Sequence, residues 1–288
     1  SHPVSSRPPR KNNDSYTRER NRMPDSEQMK SQVLAACSHI VEPETGDDVL
    51  SLGLVRDVTI AGGTARLTLR LPVPVYDHAE VLEHAIRQAI LAVPGMSAAA
   101  IDVVRDVPPN SRIQSQLNMP VKHLVAVSSG KGGVGKSTIS VNLAVALAQC
   151  GLSVGLMDAD ILGPNIPMMM GVSSLPSPVS QRLIPAQAFG VKVMSMGFLV
   201  DPNKPMIWRG PMVHAAIRQF FTDVDWGVLD YIIIDLPPGT GDAQLTLAQS
   251  VPLTGAVIVT QPMEVAVMDA LRGFKMFEKL NVPIIGVI

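Results

Sequence analysis

The sequence predicts an α/β protein: a mostly parallel sheet covered by helices on both faces, preceded by a small α+β domain. Three observations predict it. From residue 123 onward, short continuous Val/Ile/Leu runs alternate with helical stretches, the pattern of strands buried on both sheet faces. Before residue 105, an alternating apolar–polar strand lies between two helical stretches. Hydrophobic residues make up 46% of the 288 positions and charged ones 17%, enough for a sizeable core and incompatible with wholesale disorder. Aromatics are only 4%, so that core is built from Val, Ile, Leu, Ala and Met.

The elements follow in order. Residues 1–23 are polar, proline-bearing and basic, and are expected to be a disordered tail; Met23 looks like a natural start. The small domain is expected over 24–105. A helix over 26–40 stops at Glu42-Pro43, and Ala61-Gly62-Gly63 turns a hairpin into the strand Ala65–Leu71. A helix over 78–92 and a strand over 99–104 complete it. Val107-Pro108-Pro109-Asn110 and the polar run after it read as a linker, 106–122. The second domain, 123–288, carries strand-like runs at Leu124–Val127, Val154–Met157, Val191–Met196, Tyr231–Ile234, Ala256–Val259 and Pro283–Ile288. Its last run is a buried-strand pattern, so the chain reads as C-terminally incomplete.

Charge narrows the function. Lys+Arg is 24 against Asp+Glu 25, a net charge of -1, which gives no global case for binding nucleic acid or an anionic membrane. No run approaches the roughly 18 apolar residues of a membrane span. Cys37 and Cys150 form no CxxC unit and each follows an apolar stretch, so both are expected to be small buried thiols in a reducing compartment. That compartment is the cytoplasm, or an organelle stroma or matrix.

The decisive segment is Gly130-Lys131-Gly132-Gly133-Val134-Gly135-Lys136-Ser137-Thr138, which satisfies G-x-x-x-x-G-K-[ST] between an apolar strand and a helical stretch. Glycines let the backbone wrap a phosphate with its N–H groups inward, at a helix N-terminus. Lys136 supplies a point charge for the β/γ-phosphates, and Ser137 a hydroxyl for Mg²⁺. Tyr231–Ile234 ends in Asp235, the position from which a P-loop protein brings its second Mg²⁺ anchor. The glycine-bearing loop that follows, with Gly239 and Asp242, is able to sense a γ-phosphate. Asp160 sits just past the strand that ends Met157-Asp158, at the sheet edge where ligands bind; the plain alternative for such residues is a turn or a helix cap. The fold class sharpens to a P-loop NTPase.

Gly130–Thr138, Asp158–Pro167, Trp208-Arg209-Gly210-Pro211 and Asp235–Asp242 together resemble the Mrp (ApbC-like) iron–sulfur carrier ATPases, in the MinD/ParA branch of deviant-Walker-A NTPases. Residues 24–105 resemble the small domain that many of these carry in front. The resemblance implies an ATP- and Mg²⁺-dependent, weakly hydrolysing homodimer that delivers clusters to apoproteins. It implies that Lys131 reaches nucleotide held by the second subunit, and that Lys136 and Asp160 serve hydrolysis, Asp160 by positioning the attacking water. It also implies a cluster-binding CxxC and an adenine-contacting asparagine beyond Ile288, so no iron–sulfur ligand is expected within 1–288. The front domain departs from the pattern: Leu71-Pro72-Val73-Pro74 stands where a Cys-Pro is usual.

Other features are weaker. Met168-Met169-Met170 is expected to pack against the switch rather than hold a soft metal, and the six histidines show no metal-binding spacing. Trp208-Arg209 fits local packing or a dimer contact equally. Two other functions stay open: a MinD/ParA-like positioning ATPase on membrane or DNA, and a non-hydrolysing nucleotide-gated scaffold. The first calls for a basic amphipathic helix or patch, and none is visible in the sequence.

Overall fold

The computed structural model describes residues 26–105, 107–160, 163–199, 210–239 and 242–288. The tail expected over 1–23 lies outside them, as do Trp208 and Arg209. The chain divides between Val107 and Pro108 into two compact units.

The first unit contains α1 (Ser26–Cys37), β1 (Val55–Ala61), β2 (Thr64–Leu71), α2 (Ala79–Leu91) and β3 (Ala98–Arg105). β1 and β2 form an antiparallel hairpin through Gly62 and Gly63, both at positive φ, and β3 pairs with β2 in parallel. The period of two along β2 buries Ala65, Leu67, Leu69 and Leu71. They share a core with Val33 and Cys37 of α1 and Leu82, Ile86 and Ile90 of α2.

The second unit opens with α3 (Ser111–Leu117), inside the stretch expected to be a linker. Ile113 is fully buried there. The Asn110 side chain accepts from the Arg112 N–H at 3.1 Å and donates to Thr254 Oγ1 at 3.2 Å, while the Arg112 guanidinium donates to the Leu253 carbonyl. Two apolar residues one turn apart, Ile113 and Leu117, are too few for a clear periodic signal, and the hydrogen bonds that hold the segment reach more than a hundred positions away in sequence. Only long-range structure reveals it.

Then follow β4 (Val121–Ser129), α4 (Lys136–Gln149), β5 (Val154–Asp158), α5 (Ile166–Met169), β6 (Ala186–Ala188), β7 (Val191–Ser195) and a 3-10 turn at Met196–Phe198. The rest is α6 (Gly210–Thr222), β8 (Leu229–Asp235), α7 (Asp242–Ser250), β9 (Gly255–Val259), α8 (Glu264–Lys279) and β10 (Ile284–Val287). The seven strands run in the order β10-β9-β4-β8-β5-β7-β6, all parallel to their neighbours except β6, which is antiparallel to β7. This bears out the expected mostly parallel sheet and each of its six strand-like runs, but the last, expected to be buried, forms the edge strand β10, with Ile285 and Val287 exposed. β6 has only three residues, too few for a pattern.

β8 arrives late in the sequence yet inserts between β4 and β5. Its register sets Asp235 beside Val127 on one side and Asp158 on the other. The carboxyl ends of three central strands therefore meet at one edge, the position where open α/β sheets bind ligands.

Cys150 departs from expectation. It is exposed at the C-terminal end of α4, whereas Cys37 is buried as expected. The buried stripe of α4 is Lys136, Ser140 and Ala144. At about 100° per residue, position 150 lies roughly 80° from the centre of that stripe and about 120° from Ala144, its nearest member along the helix. The apolar run Leu143–Ala148 just before Cys150 hid which face points inward.

α8 closes tightly on the turn after β4. A Cβ on Gly130 would fall 2.3 Å from the Asp269 carbonyl carbon and 2.6 Å from the Ala270 nitrogen, both backbone atoms that no rotamer change can move. Gly130→Ala is expected to lower unfolding stability by ~1–3 kcal/mol through forced displacement of α8. Chemical denaturation measures this, and an unchanged midpoint would mean that α8 yields freely.

Candidate functional site

β4 delivers the chain into the glycine loop and α4 takes it away. Gly133 (φ 78°) and Gly135 (φ 96°) occupy the left-handed region, where any other residue is strained, and Gly135 is the N-cap of α4. The Ser129 hydroxyl donates to the Lys131 carbonyl at 3.0 Å, closing the loop on itself.

Beneath the loop lies a buried ionic cluster. Lys136 Nζ is 2.7 Å from Asp235 Oδ2, with the two side chains 6% and 1% exposed. The Ser137 hydroxyl donates to the same oxygen at 2.7 Å, and the Ser140 hydroxyl to Oδ1 at 2.5 Å. One ammonium and two hydroxyls thus surround one carboxylate. Removing either charge from such a pair typically costs about 3–5 kcal/mol, because the other is left buried alone. Ser140 was not among the candidates from sequence. Its signal was its place one turn after Lys136 on the same helix face.

Asp158 is the second residue that sequence reasoning passed over. It is fully buried. It accepts from the Asp160 N–H (3.1 Å), the Ile166 N–H (3.3 Å) and the Ser195 hydroxyl (3.0 Å). Burial pushes its carboxyl up to about 7, and the Asp235 carboxylate adds to the shift by repulsion. Asp160 is nearly buried, and its Oδ1 accepts from the Gly163 N–H at 3.2 Å.

These groups border a cleft of about 520 Å³, within the size range of small-molecule sites. Ser129, Gly132, Gly133, Gly135, Lys136, Ser137 and Thr138 line one side, and Asp160, Gly163, Asn165, Met168, Met169 and Pro238 the other. Gly130, Lys131, Val134, Asp235 and Gly239 frame the cleft without lining it. Gly239 (φ 99°) donates its N–H to the Ser129 carbonyl at 2.9 Å, tying the loop after β8 to the end of β4. Gln244 adds a second tie, its Nε2 donating to Ser128 Oγ and to the Pro237 carbonyl. Asp242 is the first residue of α7, and its side chain lies outside the described residues.

The methionine run is corrected. Only Met170 packs inside; Met168 is 79% exposed and Met169 38% exposed, both at the cleft. In α5, only a four-residue helix, Ile166 alone takes the inward face.

Comparisons with known proteins agree with this geometry. The family profile of the NUBPL iron-transfer P-loop NTPases matches residues 120–288, and that of an iron–sulfur cluster assembly protein matches residues 30–103. An iron–sulfur cluster carrier protein from Synechocystis is 47% identical over 262 residues, which are 89% of this chain and 74% of that protein. The iron–sulfur cluster transfer protein NUBPL of Dictyostelium discoideum is 54% identical over 171 residues, 58% of this chain and 53% of its own. Among solved structures, a nucleotide-binding protein from Archaeoglobus fulgidus in complex with ADP shares 39% identity at a TM-score of 0.53, over 61% of this chain and 69% of that one. The motif resemblance and the P-loop fold class are both borne out. By sequence over most of its length, and by a profile match over its whole second unit from the start of β4, the chain belongs to the iron–sulfur cluster carrier family of NUBPL-type P-loop NTPases.

Proposed function

We propose that this chain binds and hydrolyses Mg-ATP as a homodimer and uses that cycle to hold and release an iron–sulfur cluster carried to apoproteins. The observation that carries the nucleotide half is the buried Lys136–Ser137–Ser140–Asp235 cluster under a cleft walled by the glycine loop. Family membership supports the cluster half.

The residues divide the work. Loop N–H groups from Gly130 to Thr138 and the N-terminus of α4 face an anion with positive potential. Ser137 Oγ and Asp235 Oδ2 are hard oxygen donors 2.7 Å apart, the type that Mg²⁺ takes. When bound there, Mg²⁺ offsets phosphate charge. Lys136 already has an anionic partner in Asp235, and its flexible stem lets the ammonium turn toward a phosphate in the adjoining cleft. Asp160, on the opposite wall, is suited to orient a water for attack on the γ-phosphorus. Lys131 does not line its own cleft, which fits an amine that serves the second subunit's nucleotide. Gly239 and Asp242 bound the switch, whose N–H tie to Ser129 lets a change at the phosphates be felt after β8. Such a carrier works in a reducing compartment, the cytoplasm or an organelle matrix.

Lys136→Ala is expected to weaken ATP binding about a hundredfold or more, since it removes a buried charge partner. Titration calorimetry checks it, and unchanged affinity would sink the phosphate-binding assignment. Lys131→Ala should behave differently. It should bind ATP normally yet lose ATP-dependent dimerisation and turnover; a monomer hydrolysing at the wild-type rate rules out the role in trans.

Cluster ligands are a separate matter. Iron–sulfur clusters take thiolates, typically about four. Residues 1–288 offer only Cys37, buried in the first unit, and Cys150, exposed in the second. Anaerobic reconstitution of residues 1–288 with iron and sulfide is expected to leave no stable stoichiometric cluster. Iron that survives desalting at one cluster per dimer would move the site into these residues.

A further inference from the structure

We propose that Asp158 is a positioning residue for the cleft: its carboxylate fixes the backbone at both ends of the segment that carries Asp160 into the wall. The consequence for turnover rests on the ATP-hydrolysing function proposed above; the geometry does not.

Asp158 touches nothing in the cleft, being fully buried. Its two oxygens are divided between the two ends of one segment. Oδ1 takes the N–H of Asp160, and Oδ2 takes the N–H of Ile166, the first residue of α5. Between those anchors lie Gly163 and Asn165, which line the cleft, and Gly163 returns its own N–H to Asp160 Oδ1. A third bond extends the clamp sideways. The Ser195 hydroxyl donates to Asp158 Oδ2 at 3.0 Å and accepts from the Gly197 N–H at 3.0 Å, which caps the 3-10 turn after β7. At Gly197 a Cβ would come within 3.1 Å of Pro164, so that turn also presses on the segment.

A carboxylate is an expensive way to fill this space. An apolar residue would fill it without desolvating an acid, and the nearest fixed charge along the sheet is the like-charged Asp235. What the acid supplies is two acceptor oxygens in one rigid plane at the end of β5. Those two oxygens set where Asp160 stands relative to the glycine loop. Near a reacting centre, a misplacement of about 1 Å can cost roughly a hundredfold in rate.

The test is Asp158→Asn in the intact chain, with Ser195→Ala beside it. Asparagine keeps the shape but offers one acceptor, so one end of the segment must lose its bond. Hydrogen exchange at the Asp160 and Ile166 amides is expected to rise about tenfold at one or both positions. ATP affinity should stay within about threefold, because no phosphate-contacting group is lost, while kcat falls about tenfold or more with KM little changed. Ser195→Ala, which removes one of three bonds, should move exchange and kcat the same way by less, and it serves if the first variant folds poorly. Unchanged exchange at both amides in both variants overturns the proposal, whatever the turnover. So does an affinity loss parallel to the kcat loss, which would mark Asp158 as general scaffold. Wild-type protein that binds ATP without hydrolysing it would fail the proposed function instead, and exchange alone would then decide the positioning role.

Discussion

One buried carboxylate organises the second unit. Asp235 ends a strand that is apolar for most of its length, on a sheet covered by helices, where an uncompensated charge is prohibitively costly. Its compensation comes from a single turn and a half of α4: Lys136, Ser137 and Ser140. That arrangement fixes the angle at which α4 leaves the glycine loop, because three side chains on one helix must reach two oxygens. The place of β8 beside β4 in the sheet brings its carboxyl end under the helix that follows β4. Fold and site are therefore one constraint seen at two scales.

The glycine loop meets this constraint from above. Gly133 and Gly135 take backbone conformations that other residues resist, whereas Gly130 is needed for room rather than φ, because α8 presses on it. Glycines in one motif thus answer to different forces. Phosphate-facing backbone explains the first two, and packing explains the third. A substitution at Gly130 would act through α8, with the charge around Lys136 untouched.

Much of this was legible in the sequence. Six strands announced themselves as short apolar runs, five of them mainly buried and the edge strand β10 half-exposed; the loop motif named Lys136 and Ser137, and the end of the Tyr231–Ile234 run named Asp235. What escaped shares a physical cause: its warrant is long-range. Ile113 in α3 is held by contacts with Leu253 and Thr254 through its neighbours, so the segment read as a linker. Cys150 looked buried because it follows the apolar run Leu143–Ala148, and only the buried stripe of Lys136, Ser140 and Ala144 shows which face of α4 points inward. Met168 and Met169 looked like core because methionine usually is, yet a four-residue helix has only one inward face. Ser140 escaped because it lies outside every motif, and Asp158 because it entered only as a strand end opening a motif whose loop residue Asp160 drew the role; each matters through the atoms it meets.

The pairing of Asp158 with Asp235 shows how environment assigns roles to identical side chains. They are register partners on adjacent strands, both buried, and among the described residues one ammonium, that of Lys136, pairs with Asp235. Among the described residues Asp158 meets N–H and O–H donors, and burial together with the neighbouring carboxylate raises it to about 7. Two adjacent buried acids with one cation are driven apart in this way, since both cannot carry charge cheaply. The acid with the lysine lies under the nucleotide loop, where a second cation or a phosphate can exchange with that lysine. The acid without one is left to hold backbone, a task that hydrogen bonds alone accomplish. α4 packs on both β5 and β8, and the asymmetry follows from its first turn, where Lys136 reaches the carboxyl end of β8.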